Sequence, residues 1–147
     1  MENSEALFAL EQDFQREVGD QPWNIDNFLV ELPLKWKLSH VALMDERIVG
    51  YIICSLRDEA IYGHKLMVDK HARGKGIARS LWRHCLQVGM DEKIEKVMVR
   101  IRVENRRSLE FHDRLGFKMR DEIDRTRPDG SYYVVDTRIR EVIKNFD

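Results

Sequence analysis

The order of apolar patterns along the chain predicts an α/β domain in which helices cross a mixed sheet, and three observations carry that reading. Two apolar runs flank "MDER" in "SHVALMDERIVGYIICSL", as in a β-hairpin. The run "AIYGHKLMV" leads directly into a glycine-containing turn and then into residues at helical spacing. After that helix, "KVMVRIRV" returns to strand-like alternation.

Each element has its own signal. "SEALFALEQDFQREVG" places Leu7, Leu10, Phe14 and Val18 on one helical stripe, with Ser4 as N-cap and Gly19 as stop. "PWNIDNFLVEL" reads as a second, short helix that starts near Asn24 or Asp26. From Gly76 onward, Ile77, Leu81, Cys85 and Val88 form one helical face, while Arg79, Ser80, Arg83 and Gln87 point elsewhere. In the next strand Val97, Val99, Ile101 and Val103 share a face, and Met98, Arg100 and Arg102 take the other. A short helix follows over about 106–115 and stops at Gly116. The last two strands, "FKMRDEI" and "SYYVVDTRI", flank "RTRPDG", whose Pro and Asp-Gly have turn chemistry.

Composition sets the outer bounds. A chain of 147 residues is long enough to bury the core of one domain, and no repeat, low-complexity tract or linker divides it, so residues 1–147 read as a single domain. Lys and Arg number 25 against 26 Asp and Glu, a balance unlike that of a general nucleic-acid binder. The apolar runs are too short to span a membrane, and the acidic start lacks the regions of a signal peptide, so a cytoplasmic protein is expected. Cys54 and Cys85 sit inside apolar patterns and read as buried free thiols. No His pairs with Cys or carboxylates at ligand spacing, and no metal is expected.

The stretch "VDKHARGKGIARSLW", residues 68–82, holds the chemistry. A strand end, then glycines, then a helix N-terminus aims several backbone N–H groups at one spot, a geometry that binds phosphate. Gly74 and Gly76 permit the turn and a close approach, and Arg73 and Lys75 add positive charge. No Lys-Ser/Thr pair and no three-glycine fingerprint appears. A plain glycine turn is the competing reading.

The run Arg73, Gly74, Lys75, Gly76, Ile77, Ala78 resembles the Arg/Gln-x-x-Gly-x-Gly/Ala signature of the GNAT acetyltransferase superfamily. A second block, "VENRRSLEFHDRLGF", is similar to that family's next motif, an Asn after a strand followed by a short helix ending in Leu-Gly-Phe. The two stand in the family's order and at its separation. Pro22, Trp23, Phe28, Glu31 and Leu32 are similar to the branch that acetylates protein N-termini, including ribosomal proteins.

The resemblance implies a mostly antiparallel sheet with one splayed parallel pair, and acetyl-CoA as cosubstrate. Its pyrophosphate would rest on the amides of residues 73–78, and its pantetheine arm along Leu66, Met67 and Val68. Asn105 would hydrogen-bond the arm, with Ser108, Phe111 and His112 lining its far side. The reaction implied is transfer of an acetyl group to a primary amine of a small molecule, a protein N-terminus or a lysine, by direct attack in a ternary complex. A catalytically impaired acyl-CoA-binding module is the alternative, and an interaction or nucleic-acid-binding domain carrying "RIRVENRR" is the third reading.

Such chemistry needs a proton acceptor for the ammonium and benefits from an acid at the leaving thiolate. His112 stands where many family members carry a Tyr, and Arg100 where the N-terminal acetylating branch carries a Glu. His112 is the first catalytic candidate, against a packing role. His64 is the second, two residues before Leu66 and hence expected on its face, with Tyr62 two further back. Tyr132 and Tyr133 alternate, so one of them faces the acceptor; Tyr132 is taken as the phenol candidate. Arg100 and Arg102 read either as contacts for an acidic substrate or as a solvated strand face, and Trp23 and Trp36 as core or cleft. Family members open with a strand before the first helix, whereas here the helix begins almost at Met1. The weakened sheet edge makes a homodimer plausible.

Overall fold

The computed structural model describes residues 4–18 and 25–146. Helices α1 (Ser4–Val18), α2 (Ile25–Leu29) and α3 (Lys35–Leu38) precede strands β1 (His40–Met44), β2 (Arg47–Arg57) and β3 (Ala60–Val68). Helix α4 (Ile77–Asp91), β4 (Lys96–Arg102), α5 (Arg106–Arg114), β5 (Met119–Asp124) and β6 (Tyr132–Arg138) follow, and α6 (Ile139–Val142) continues into a tight helical turn, Ile143–Phe146. The expected Gly19 stop, the Asn24 start, Pro22 and Trp23 lie outside the described residues, as do the side chains of Ser4, Phe14 and Val18.

The six strands form one sheet in the order β1, β2, β3, β4, β6, β5. Only β3 and β4 run parallel, joined through α4, and the other pairs are antiparallel. Both early hairpins close through two residues at positive φ, Asp45 and Glu46 (50° and 66°) and Asp58 and Glu59 (50° and 63°). Such turns match the right-handed twist of the strands they join.

Two cores lie on opposite faces. Leu81, Trp82, Cys85, Leu86 and Gly89 of α4 are buried with Ile52, Cys54, Ile61, Val97, Val99 and Ile101. An added Cβ at Gly89 would fall 2.3 Å from Cδ1 of Ile61, so the helix lies close against β3. Cys54 and Cys85 are free and buried in this layer. On the other face Leu7, Leu10 and Phe28 of α1 and α2 cover Tyr51, Ile53 and Met67. There the buried Glu11 carboxylate accepts from the Tyr51 hydroxyl and pairs with Lys65 Nζ at 3.0 Å, which ties α1 to β2 and β3.

Three features depart from the sequence reading. Helices α3 and α6 are not foreseen. Lys35 is fully buried, its ammonium donating to the carbonyls of Phe28 at 2.7 Å and Val30 at 2.8 Å, so a charged residue anchors the segment after α2. The third is a β-bulge in β3. Cys54 pairs with Gly63 but Ile53 pairs with Lys65, which leaves His64 as the extra residue. The bulge interrupts alternation. Leu66 consequently packs on the α4 side, whereas His64 reaches Ser55 on the α1 side. The expectation that His64 and Leu66 share a face is therefore corrected.

Candidate active site

The bulge coincides with the point where the parallel pair opens. Pairing of β3 with β4 runs from Ala60 with Lys96 to Gly63 with Val99 and no further. Beyond it β3 stays bonded to β2 through Leu66, Met67 and Val68, and β4 stays bonded to β6 through Arg100, Ile101 and Arg102. The strands diverge as a V whose inner edges expose main-chain groups that an extended ligand can pair with.

At the open end the chain turns through a tight helical turn, Lys70–Ala72, into α4. Asp69 fixes this entry, its N–H donating to the Val49 carbonyl at 2.7 Å and its carboxylate accepting from the His71 N–H at 3.0 Å. Arg73 folds back, Nε donating to the Val68 carbonyl at 3.2 Å, and so braces the turn on the end of β3. Gly74 and Gly76 hold φ of 80° and 76°, and a Cβ at either would meet nothing within 4 Å. Gly76 is the N-cap and offers no side chain to it. The N–H groups of Ile77 and Ala78 have no acceptor inside the helix. Together with the exposed Lys75 they form a cradle that fits a pyrophosphate. The V-shaped slot beside it fits an extended arm, so the residues present suit coenzyme A.

On the far wall, Asn105 Oδ1 accepts from the Ser108 N–H at 3.2 Å and caps α5, which leaves its amide NH2 to donate. Ser108 and Phe111 are half-buried. His112 is not open to the slot. Its ring is 4% exposed among Trp82, Phe111 and Phe117. Nε2 accepts from the Trp82 indole N–H at 3.2 Å, and Nδ1 donates to the Ser108 carbonyl at 2.7 Å. Burial drives its pKa down to about 4, so it is a neutral ring with both nitrogens engaged.

The acceptor side of the V carries a different group. Tyr62, buried on β3, has its ring edge-on to His64 with centroids 4.8 Å apart, and its phenol oxygen accepts from Arg100 Nη1 at 2.9 Å. His64 Nε2 lies 2.7 Å from Ser55 Oγ. Burial first, then the charges of Arg57 and Lys35, lower its pKa to about 4. Arg100 also donates Nε to Asp124 at 3.1 Å, and that carboxylate is held down to about 2, mainly by its bonds from Thr126. Tyr132 pairs with Arg102 and stands on this same face, its hydroxyl donating to Asp129 at 2.8 Å. Trp36 is exposed on α3, where its indole N–H donates to the Glu31 carboxylate.

Leu66, Met67 and Val68 thus end β3, residues 73–78 lead into α4, Asn105 and Ser108 open α5, His64 stands at the bulge where β3 and β4 part, and Tyr132 lies opposite Arg102. Sequence reasoning passed over the pairing of Tyr62 with Arg100. The signal was there in Tyr62, two residues from His64, but the partner strand supplies the other half. Among the described residues no group of three His, Cys, Asp or Glu side chains could hold a metal, and no helix is long and apolar enough to cross a membrane.

Residues 4–117 match the Acetyltransferase (GNAT) family. The chain belongs to that family. Among GNAT proteins it is 31% identical over 86 residues to N-alpha-acetyltransferase 30 of Schizosaccharomyces pombe, across 55% of this chain and 57% of that protein. The chain spans just over half the length of the curated relatives it matches. Its fold is similar to that of ribosomal-protein-S18-alanine N-acetyltransferase from Escherichia coli, with a TM-score of 0.77, 17% identity, and coverage of 95% of this chain and 89% of that one. It is also similar to that of Arabidopsis thaliana Naa50 in complex with the bisubstrate analogue CoA-Ac-MVNAL, with a TM-score of 0.73, 20% identity and 92% of both chains covered.

Proposed function

We propose that this chain transfers the acetyl group of acetyl-CoA to the α-amine of a protein N-terminus by direct attack in a ternary complex. The observation that carries the reading is the slot between β3 and β4, with a phosphate cradle at one end and Tyr62, His64 and Arg100 at its apex. The relatives named N-alpha-acetyltransferase support the choice of acceptor.

Bound acetyl-CoA supplies a thioester whose carbonyl carbon an amine can attack. The glycine loop and the first turn of α4 hold its phosphates, and the open edge of β3 at residues 66–68 aligns its arm. The amine nitrogen would form the new C–N bond as the C–S bond breaks with its electron pair leaving on the coenzyme A thiolate, and the nitrogen's surplus proton would leave on the acceptor side for solvent. Tyr62 and His64 stand there to pass it on. Arg100 donates to the Tyr62 oxygen, which turns the phenol's own hydrogen away from the guanidinium. His64 is held neutral near pH 7 by burial and the nearby cations. His112 supports the wall as packing and takes no part in the proton transfer.

The second reading, a cofactor-binding module without chemistry, draws on the engaged nitrogens of His112 and the cation at position 100. Incubation with acetyl-CoA and a panel of peptides varied at the first residue, with the modified nitrogen located by mass spectrometry, separates the two. Acetylation of an α-amine supports the proposal. Acetylation of lysine side chains alone overturns the choice of acceptor, and no acetylation of any amine overturns the enzyme.

A further inference from the structure

On the acceptor face a groove of about 480 Å³ leads away from the Tyr62–Arg100 apex along β4. Its walls carry four cations, Arg57, Lys96, Arg100 and Arg120, against two carboxylates, Asp58 and Asp136. Arg120 is bonded to Asp136, and Arg100 to Asp124. Arg57 and Lys96 form no ion pair among the described residues. Arg57 lies with its guanidinium 4.7 Å from the centre of the Tyr62 ring, so the groove's unpaired charge begins next to the proposed proton relay.

Register fixes the distances. Arg57 is opposite Ala60, and Ala60 is opposite Lys96, so these two cations stand at one level of the sheet. Arg100 is four residues farther along β4, on the same face as Lys96, at ~13 Å by the rise of a strand. Tyr62 is two residues beyond Ala60, so a ligand with its amine at Tyr62 and a carboxylate between Arg57 and Lys96 must span about 7 Å, close to two residues of extended chain. The α-carboxylate of a free amino acid lies too close to its own amine to reach that level.

Resting on the reading of this chain as an N-terminal acetyltransferase, we infer that its acceptors are acidic N-termini, with Asp or Glu at the third residue held between Arg57 and Lys96. Two exposed cations on one carboxylate act through steering and weak ion pairing. The preference they give is about tenfold in kcat/KM over a neutral side chain, and it shrinks as salt rises.

The test uses peptides identical at the first two residues and carrying Glu, Gln or Lys at the third, with free glutamate as a small acidic amine. The expected order is Glu over Gln over Lys, with free glutamate poor and with the Glu-to-Gln ratio falling toward one in the Arg57→Gln/Lys96→Gln double variant. Both side chains are exposed, and an unchanged melting temperature checks that the variant is folded. Equal acetylation of the Glu and Gln peptides would overturn this inference and leave N-terminal acetylation standing. Free glutamate as the best acceptor would overturn the extended-chain geometry. Failure to acetylate any peptide, with acetyl-CoA still raising the melting temperature, would overturn the acceptor reading and the inference with it.

Discussion

His112 shows how far a side chain's surroundings decide its chemistry. Buried, accepting from Trp82 and donating to Ser108, the ring holds its proton affinity down to about 4. In the unfolded chain it titrates near its ordinary value of ~6.5. Between those values the unfolded state binds a proton that the folded state does not. The stabilisation from neutral His112 is therefore complete above about pH 6.5 and is lost as pH falls toward 4, by roughly 3 kcal/mol in all. His64 acts in the same direction, more weakly because it is more exposed. Urea unfolding of the wild type should weaken steeply between about pH 6.5 and about pH 4, and His112→Phe, less stable at neutral pH, should show a shallower slope. Parallel slopes would mean that the ring is not neutral in the fold. Tyr62 makes the opposite case, a buried phenol whose oxygen faces a cation at the apex of the slot. Tyr62→Phe should lower kcat about a hundredfold while the KM for acetyl-CoA stays unchanged. Equal loss in both constants would assign Tyr62 to cofactor binding instead.

At the level of elements, local signals were legible and pairings were not. The hairpins around "MDER" and "RTRPDG", β3, α4, β4 and α5 announce themselves through apolar period and turn residues, and the glycine loop through its composition. The α3 helix has four residues and no period to read, and its buried Lys35 inverts the usual rule for charge. The bulge at His64 leaves no mark in alternation, because it is a property of the register with β2. Tyr62 and Arg100 meet only because β3 and β4 stay parallel up to Gly63 and Val99. The loop before α4 gives an element-scale prediction. Gly76 holds φ of 76° with open space where a Cβ would stand, so Gly76→Ala meets backbone strain but no clash. It should destabilise the fold by about 1 kcal/mol. Because an added methyl occupies the space a pyrophosphate needs to reach the amides, the Kd for acetyl-CoA should rise by about tenfold or more, measured by calorimetry. A Kd that follows wild type would place the phosphates elsewhere.

Across the whole molecule, the slot joins elements that the two cores hold separately. Residues 66–68 of β3 are fixed on one face by Met67 in the α1 layer and on the other by Leu66 against the α4 layer. The wall opposite depends on α5, whose Leu109 and Phe111 pack on the α4 core. A ligand bridging β3, the α4 N-terminus and α5 therefore contacts the native arrangement and nothing that survives unfolding. At about 100 times its dissociation constant it adds ~2.7 kcal/mol. For a domain of this size that corresponds to a melting shift of roughly 5–10 °C. ADP presents the pyrophosphate without the arm, so it engages the loop and not the strands, and its shift should be smaller. A large shift with acetyl-CoA and a small one with ADP would assign the binding energy to the whole slot. Equal shifts would confine binding to the cradle and leave β3 a core strand, and no shift with either would reduce residues 73–78 to a turn.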